Sequence, residues 1–159
     1  MEQMTIDRVL VRALETVPLL EDPATHDAKV WPLQPKKNAL PPFCFYEQQT
    51  DELDEDLEGD NELRHTRIQL HVVTAYYGQQ ATIAQAVRAL LKALQGETVY
   101  EDPEDLTSAS LLVERAHMEQ ASPDLYETEV GWFRRIYVID FDYQQDDKET
   151  ETEQEETEP

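Results

Sequence analysis

The side chains best suited to chemistry in this sequence form an acidic segment between two predicted strands. Residues 50–62 read TDELDEDLEGDNE and place eight carboxylates in thirteen positions. Within it, DEDLEGD at 54–60 resembles the first half of a calcium-binding loop, including the glycine at the sharp turn. Such a loop needs a bidentate glutamate at its twelfth position, where this chain has His65. The sequence therefore predicts a solvated acidic loop and no calcium site.

Other patterns for catalysis or metal binding are weaker. Glu114-x-x-His117 has the spacing of a di-iron ligand pair, but that site needs several such motifs on facing helices. The four histidines are too scattered for a zinc site without cysteine partners, and the four glycines form no phosphate-binding loop. The lone Cys44 lies in a predicted strand, which is typical of a small buried hydrophobic residue. We therefore expect no catalytic residue, metal or cofactor.

The charge of the chain limits what it can bind. There are 35 acidic and 13 basic residues, a net charge of −22. Residues 144–159 hold eight acids, one lysine and no apolar residue, so they are predicted to be a disordered tail unless a partner orders them. Residues 1–143 keep a net charge of −15. This balance opposes binding to nucleic acid phosphates and anionic membranes, and no apolar run of 18 residues predicts a membrane span.

Apolar periodicity predicts the elements that position these groups. A helix is predicted at 5–17, with Thr5 as N-cap and Pro18 as terminator. A second helix is predicted at 81–95, between a break at Gly78 and a stop at Gly96. Strands are predicted at 28–33, 43–49, 62–77, 108–120 and 131–143.

The long strand at 62–77 alternates between apolar and polar residues. Ile68, Leu70 and Val72 fall on one face, and the residues between them fall on the other. The element order predicts an α+β fold, with a mostly antiparallel sheet and two amphipathic helices packed on one face. Residues 1–143 are predicted to be one domain that contains the acidic loop, 50–62.

The order of these elements resembles the tail terminator and tail completion proteins of long-tailed bacteriophages. The matching segments are the helix DRVLVRALETV, the short strand KVWPLQP, the proline-led strand LPPFCFYEQQ and the strand RHTRIQLHVVTAYY. That strand runs directly into the helix ATIAQAVRALLKAL, and the last strand is RRIYVIDFDY. The resemblance covers residues 5–143, while the acidic loop and the acidic tail lie outside the matching pattern.

The resemblance implies a structural virion protein made in the bacterial cytoplasm. Its copies would form a homohexameric ring at the junction of tail and neck, capping the tail tube protein and contacting the neck or connector protein. DNA would pass through the lumen without tight binding, and no membrane would be involved. Such a role needs no catalytic residue.

Eleven charged residues are candidates for lining that lumen or for contacting a partner. The acids would either keep DNA phosphates from adhering or dock on a basic neighbour, and the arginines would pair with carboxylates of adjacent subunits. They are Asp51, Glu52, Asp54, Glu55, Asp56, Glu58, Asp60, Arg64, Arg67, Arg134 and Arg135.

An acidic DNA mimic, which occupies the DNA-binding cleft of another protein, is the alternative function from a different class. Small size and high negative charge fit it as well. The two functions differ in mass in solution, because a mimic is expected to be a monomer or dimer and a terminator to form rings.

Overall fold

A computed structural model describes residues 4–53 and 63–146, with the backbone alone described at 51–53 and 146. The described residues form two α-helices and seven β-strands. The bounds are α1 Ile6–Leu14, β1 Val30–Pro32, β2 Phe43–Leu53, β3 Leu63–Thr74, α2 Tyr77–Leu94, β4 Thr98–Tyr100, β5 Ser110–Gln120, β6 Leu125–Glu127 and β7 Trp132–Asp146.

The seven strands form one mixed sheet. Its order is β1-β2-β3-β7-β5-β4, and β6 pairs with the start of β7. β1 is parallel to β2, whereas the other pairings within the described chain are antiparallel. The prediction of two helices and a strand-rich sheet is confirmed, with the qualification that the sheet is mixed.

One hydrophobic core joins the helices to the sheet. In the middle of the central strands β3 and β7, alternate residues point into it, as strand alternation requires. α1 contacts α2, and α2 contacts β3, β5 and β7. Buried members of the core include Ile6, Val9, Leu10 and Leu14 of α1, Ile83, Ala84, Val87 and Leu91 of α2, and Ile68, Leu70, Val72, Tyr137, Ile139 and Phe141 of the central strands.

α1 ends three residues earlier than the sequence predicts. Thr5 occupies the N-cap position with extended backbone, but its side chain makes no capping hydrogen bond. After Leu14 the chain forms a tight turn, in which the Val17 amide donates a hydrogen bond to the Leu14 carbonyl. Pro18 disfavours helical backbone at the residue before it, and Val17 is accordingly extended. A 3₁₀ turn, Pro18–Leu20, follows.

α2 begins four residues before the predicted start at 81. Gly78 lies inside its first turn instead of breaking the pattern, since glycine lowers the stability of a helix by only about 1 kcal/mol. The Gln79 side chain accepts a hydrogen bond from the Tyr76 amide at 3.3 Å. The predicted stop at Gly96 is confirmed by its φ of +83°. No helix in the described part of the chain is long and apolar enough to cross a membrane.

Two strands extend beyond their predicted ends. β2 continues through 50–53, which the sequence assigns to the acidic loop, and β7 continues through 144–146, which it assigns to the tail. Pairing of β2 with β3 and of β7 with β5 holds these residues in the sheet, since backbone hydrogen bonds form regardless of side-chain polarity. The rest of the predicted loop, 54–62, and of the tail, 147–159, lies outside the described residues.

Candidate interaction surfaces

The side chains of β3 that do not enter the core define a second surface. Arg67, Gln69 and His71 alternate with the three buried residues, as the sequence predicts. In β7 the residues opposite them are Asp140, Val138 and Ile136. We call the surface formed by these six residues and their same-side neighbours on β2 and β5 the outer sheet face.

Two carboxylates of β7 bind basic side chains from both neighbouring strands at one end of this face. Arg67 Nε donates to Asp140 Oδ1 at 2.9 Å. The Asp142 carboxylate binds the His65 imidazole and, at 3.9 Å, Arg115 Nη1. These five residues, here called the ionic cluster, line a depression of about 380 Å³. Since its carboxylates lie against basic side chains of this same chain, the cluster is suited to fixing strand register and presenting paired polar groups to a partner.

The arrangement of side chains around the ionic cluster limits it as a metal site, and the only cysteine lies elsewhere in the core. Within residues 4–53 and 63–146, no three His, Cys, Asp or Glu side chains converge as a metal site would require. Cys44 is fully buried, as predicted, and burial raises the pKa of its thiol to about 12. A thiol in that state is a poor nucleophile, so Cys44 serves packing.

Aromatic rings cover the other end of the outer sheet face. Phe43 lies edge-on to Trp132, with ring centroids 5.9 Å apart, and tilted against Trp31 at 6.0 Å. Phe45 stacks on the His71 imidazole at 4.3 Å. Such ring pairs stabilise the fold beyond their burial of area. The two ends of this face therefore differ, one ionic and one aromatic.

His71 lies between the two ends and is half-buried. Its Nε2 is 3.1 Å from Gln69 Oε1, while its Nδ1 finds no hydrogen-bond partner in the described chain. Burial lowers the pKa of His71, the positive charge of Arg134 lowers it further, and Glu47 opposes the change. The folded protein thus favours the neutral imidazole.

Three of the four candidate arginines have carboxylate neighbours within the chain. Arg135 binds the Asp124 carboxylate, which raises the pKa of Arg135 and lowers that of Asp124. Arg134 Nε is 3.5 Å from Glu127 Oε1, and Arg67 binds Asp140 as described. Arg64 lies in β3, level with Tyr143. These arginines were expected to pair with carboxylates of adjacent subunits. At three positions the carboxylate partner belongs to the same subunit instead.

The candidate acids are only partly described. Asp51 and Glu52 lie in β2, opposite Thr66 and His65 of β3, and not in a loop. The other five, Asp54, Glu55, Asp56, Glu58 and Asp60, lie outside the described residues.

A basic pocket beside β1 is a feature that the sequence reasoning missed. Lys29, Lys36 and Lys37 line a depression of about 440 Å³ together with Trp31 and Leu40. We call this site the lysine pocket. The signal that predicts it is compositional: residues 28–46 contain three of the five lysines and no acid, in a chain with 35 acids.

Comparison with known proteins adds no family to this description. The sequence matches no protein-family model and, at a significant level, no curated protein.

Proposed function

We propose that this protein is a structural virion protein, a bacteriophage tail terminator whose copies form a ring. The ring caps the tail tube and joins it to the neck or connector, and DNA passes through its lumen. The observation that carries the proposal is the order and connection of the elements. A short N-terminal helix precedes β1 and β2, and the long β3 enters α2 after only two residues.

A layered arrangement of the subunit supports this role. We propose that both helices cover the same face of the sheet. In support, α1 contacts α2, and buried residues of both belong to the core that contains Leu70 and Ile139. The outer sheet face would then remain for contacts with other proteins or other copies.

Open strand edges on both sides of the sheet also support assembly. β1 pairs only with Cys44–Tyr46 of β2, and β4 pairs only with Ser110–Leu112 of β5. Within the described chain, no strand pairs with the outer edges of 47–50 in β2 or 114–120 in β5. Exposed edges are templates for pairing with another chain. Contact between two different edges is heterologous, which is the type of contact that closes rings.

The acidic character of the subunit suits a conduit for DNA. The net charge of −15 in residues 1–143 repels phosphates, so DNA can pass without adhering. The carboxylates at 51–60 are the densest source of this charge and either line the lumen or dock on a basic neighbour.

The direct test is tube capping. Purified protein is added to polymerising tail tubes, and tube ends and lengths are examined by negative-stain electron microscopy. We expect a ring at one end of each tube, an arrest of tube growth, and particles with a mass near six times the 18.5 kDa of one chain. Tubes that elongate normally with bare ends would contradict the proposal. An acidic DNA mimic would instead bind a basic DNA-binding protein as a monomer or dimer.

A further inference from the structure

The lysine pocket is a cationic site on a strongly acidic protein. Lys36 and Lys37 are exposed, and the carboxylate of Asp22, which also lines the pocket, attracts Lys29 and Lys36. Lys29 Nζ donates to the Leu40 carbonyl at 3.1 Å. Partial burial lowers the pKa of Lys29, and only Asp22 acts in the opposite direction. An anion placed in the pocket would meet three ammonium groups and the single carboxylate of Asp22.

The walls of the pocket are apolar and prominent. Trp31 is half-buried against the Phe43 ring, so one side of its indole is held in place. Leu40, which lines the pocket, and Leu33, which follows β1, have 71% and 70% of their side chains exposed. Exposed leucines beside lysines are suited to a ligand that carries both carboxylates and methylene groups, such as a glutamate-rich peptide.

The chain itself supplies a segment with that chemistry. Residues 147–159 read DKETETEQEETEP, with seven carboxylates and a single lysine. Glutamate side chains provide the methylenes and the charge, and opposite charge favours their encounter with the lysine pocket.

Strand register decides whether the segment would come from the same copy. Cys44 is level with Val72, and Val72 is level with Arg135, so the start of β2 lies beside the first part of β7. β7 runs on for 11 residues to Asp146, about 36 Å at roughly 3.3 Å per residue. Residues 147–159 span at most about 47 Å. If the segment bound the pocket of its own chain, most of its length would be needed to reach that pocket. A neighbouring copy can instead place its pocket beside the segment.

We propose that the lysine pocket binds the acidic segment 147–159 of a second copy of this chain. The glutamates bind the ammonium groups of Lys29, Lys36 and Lys37, and their methylenes pack on Trp31. Because the donor segment follows Asp146, at the opposite end of the sheet from the pocket, the contact would join two different surfaces and be heterologous. The inference goes beyond the tail-terminator role and stands without it.

Binding is tested with a fluorescein-labelled peptide of residues 147–159 and the full-length protein, followed by anisotropy. We expect saturable binding that weakens at least about tenfold between 0.05 and 0.3 M salt, since the contact is electrostatic. The double variant Lys36→Glu, Lys37→Glu should lose at least about tenfold in affinity. The control Lys92→Glu, which reverses one charge at an exposed position of α2 while the double variant reverses two, should stay within about twofold. Equal affinity in all three proteins would overturn the proposal.

Disulfide trapping shows which copy supplies the segment. Cys44 is fully buried, so an added surface cysteine is the reactive thiol. Full-length Leu40→Cys and Thr157→Cys chains are mixed, oxidised and separated on a non-reducing gel. We expect a cross-linked dimer of the two variants, and much less with Lys92→Cys in place of Leu40→Cys. No excess over that control overturns the proposal, as does a disulfide that forms only within a chain carrying both cysteines.

The two proposals can fail separately. Capped tail tubes, in a protein whose affinity for the 147–159 peptide is unchanged by Lys36→Glu, Lys37→Glu, overturn the docking of residues 147–159 and leave the terminator role in place. If the peptide binds with the expected losses but the protein never caps tail tubes, the docking of residues 147–159 stands and the terminator role is overturned.

Discussion

His71 is the residue whose ionisation is most directly tied to the fold. Its ring is stacked on Phe45 and half-buried, and the Arg134 charge disfavours a second positive charge beside it. The unfolded chain imposes neither condition, so its histidine keeps a pKa of about 6.5. The lower pKa in the folded chain means that the unfolded chain binds more protons at mildly acid pH.

The free energy of unfolding should therefore fall as the pH drops below about 6.5. The contribution of His71 is fully present above that value and is lost as the pH approaches the folded-state pKa. We expect His71→Gln to remove this part of the slope in urea unfolding measured from pH 5 to 8. Gln85→Ala, on the exposed side of α2, provides the control, since it removes no ionisable group and should keep the wild-type slope. Identical slopes in wild type and His71→Gln would contradict the assignment.

Single residues were the hardest part of this protein to predict. The alternation around Leu70 predicted which side chains of β3 are buried, because burial follows strand period. The pairing of Arg67 with Asp140 has no signal in the sequence, since 73 residues separate them and only the β3–β7 register brings them together. The lysine pocket depends on how the connection between β1 and β2 folds back beside Asp22, although the lack of acids in residues 28–46 is visible in the sequence.

The two helices were predicted from periodicity alone, and their buried stripes are the main support of the sheet. Leu10 of α1 and Leu91 of α2 are 0% and 2% exposed. Helix ends were predicted less well, because they depend on local backbone geometry: Pro18 shortens α1, and the first turn of α2 accommodates Gly78.

Truncating either stripe should strongly destabilise the fold. Leu10→Ala and Leu91→Ala should each lower the free energy of unfolding by about 2–5 kcal/mol, through lost burial and the cavity left behind. Gln85→Ala, on the exposed side of α2, should change it by less than about 0.5 kcal/mol. Chemical denaturation measures all three. A loss below about 0.5 kcal/mol at both leucines would show that these helices do not cover the core.

The end of β7 makes a sharper prediction about where the folded domain stops. Gln144 Nε2 donates to Glu114 Oε1 at 2.8 Å, and Gln145 Nε2 donates to the Met4 carbonyl at 3.1 Å. A chain that ends at Asp146 keeps these bonds, whereas one that ends at Tyr143 loses them together with three residues of sheet pairing.

We therefore expect the chain ending at Asp146 to melt within a few degrees of the full chain. The chain ending at Tyr143 should melt about 3–8 °C lower, since each lost hydrogen bond contributes about 1 kcal/mol. Circular dichroism during heating distinguishes them. Equal melting temperatures for the two truncations would show that 144–146 add nothing to the sheet.

At the scale of the whole molecule, charge and assembly oppose each other. In the proposed ring, six copies that each carry −15 in residues 1–143 would repel one another. Screening acts over about 10 Å at 0.1 M salt and about 3 Å at 1 M. Apolar contacts and strand edges, which salt does not weaken, must supply the attraction.

Ring formation should accordingly strengthen as salt rises from 0.05 to about 1 M. Neutralising Asp51, Asp54, Asp56 and Asp60 to Asn should shift the onset of assembly to lower salt. Light scattering against salt concentration measures both effects. A protein that stays monomeric throughout, even with tail tubes present, would exclude the terminator role, whereas a DNA mimic would lose its basic target as salt rises.

The Trp31–Phe43–Trp132 contact gives the protein an intrinsic optical reporter. The chain has two tryptophans, and both lie against the same phenylalanine at one end of the sheet. One of them also lines the lysine pocket, while the other does not. A ligand that shields Trp31 from water would shift its emission to shorter wavelength, whereas unfolding would expose both indoles and shift emission to longer wavelength. The direction in which the tryptophan emission maximum shifts therefore distinguishes an occupied pocket from an unfolded chain in a single unlabelled sample.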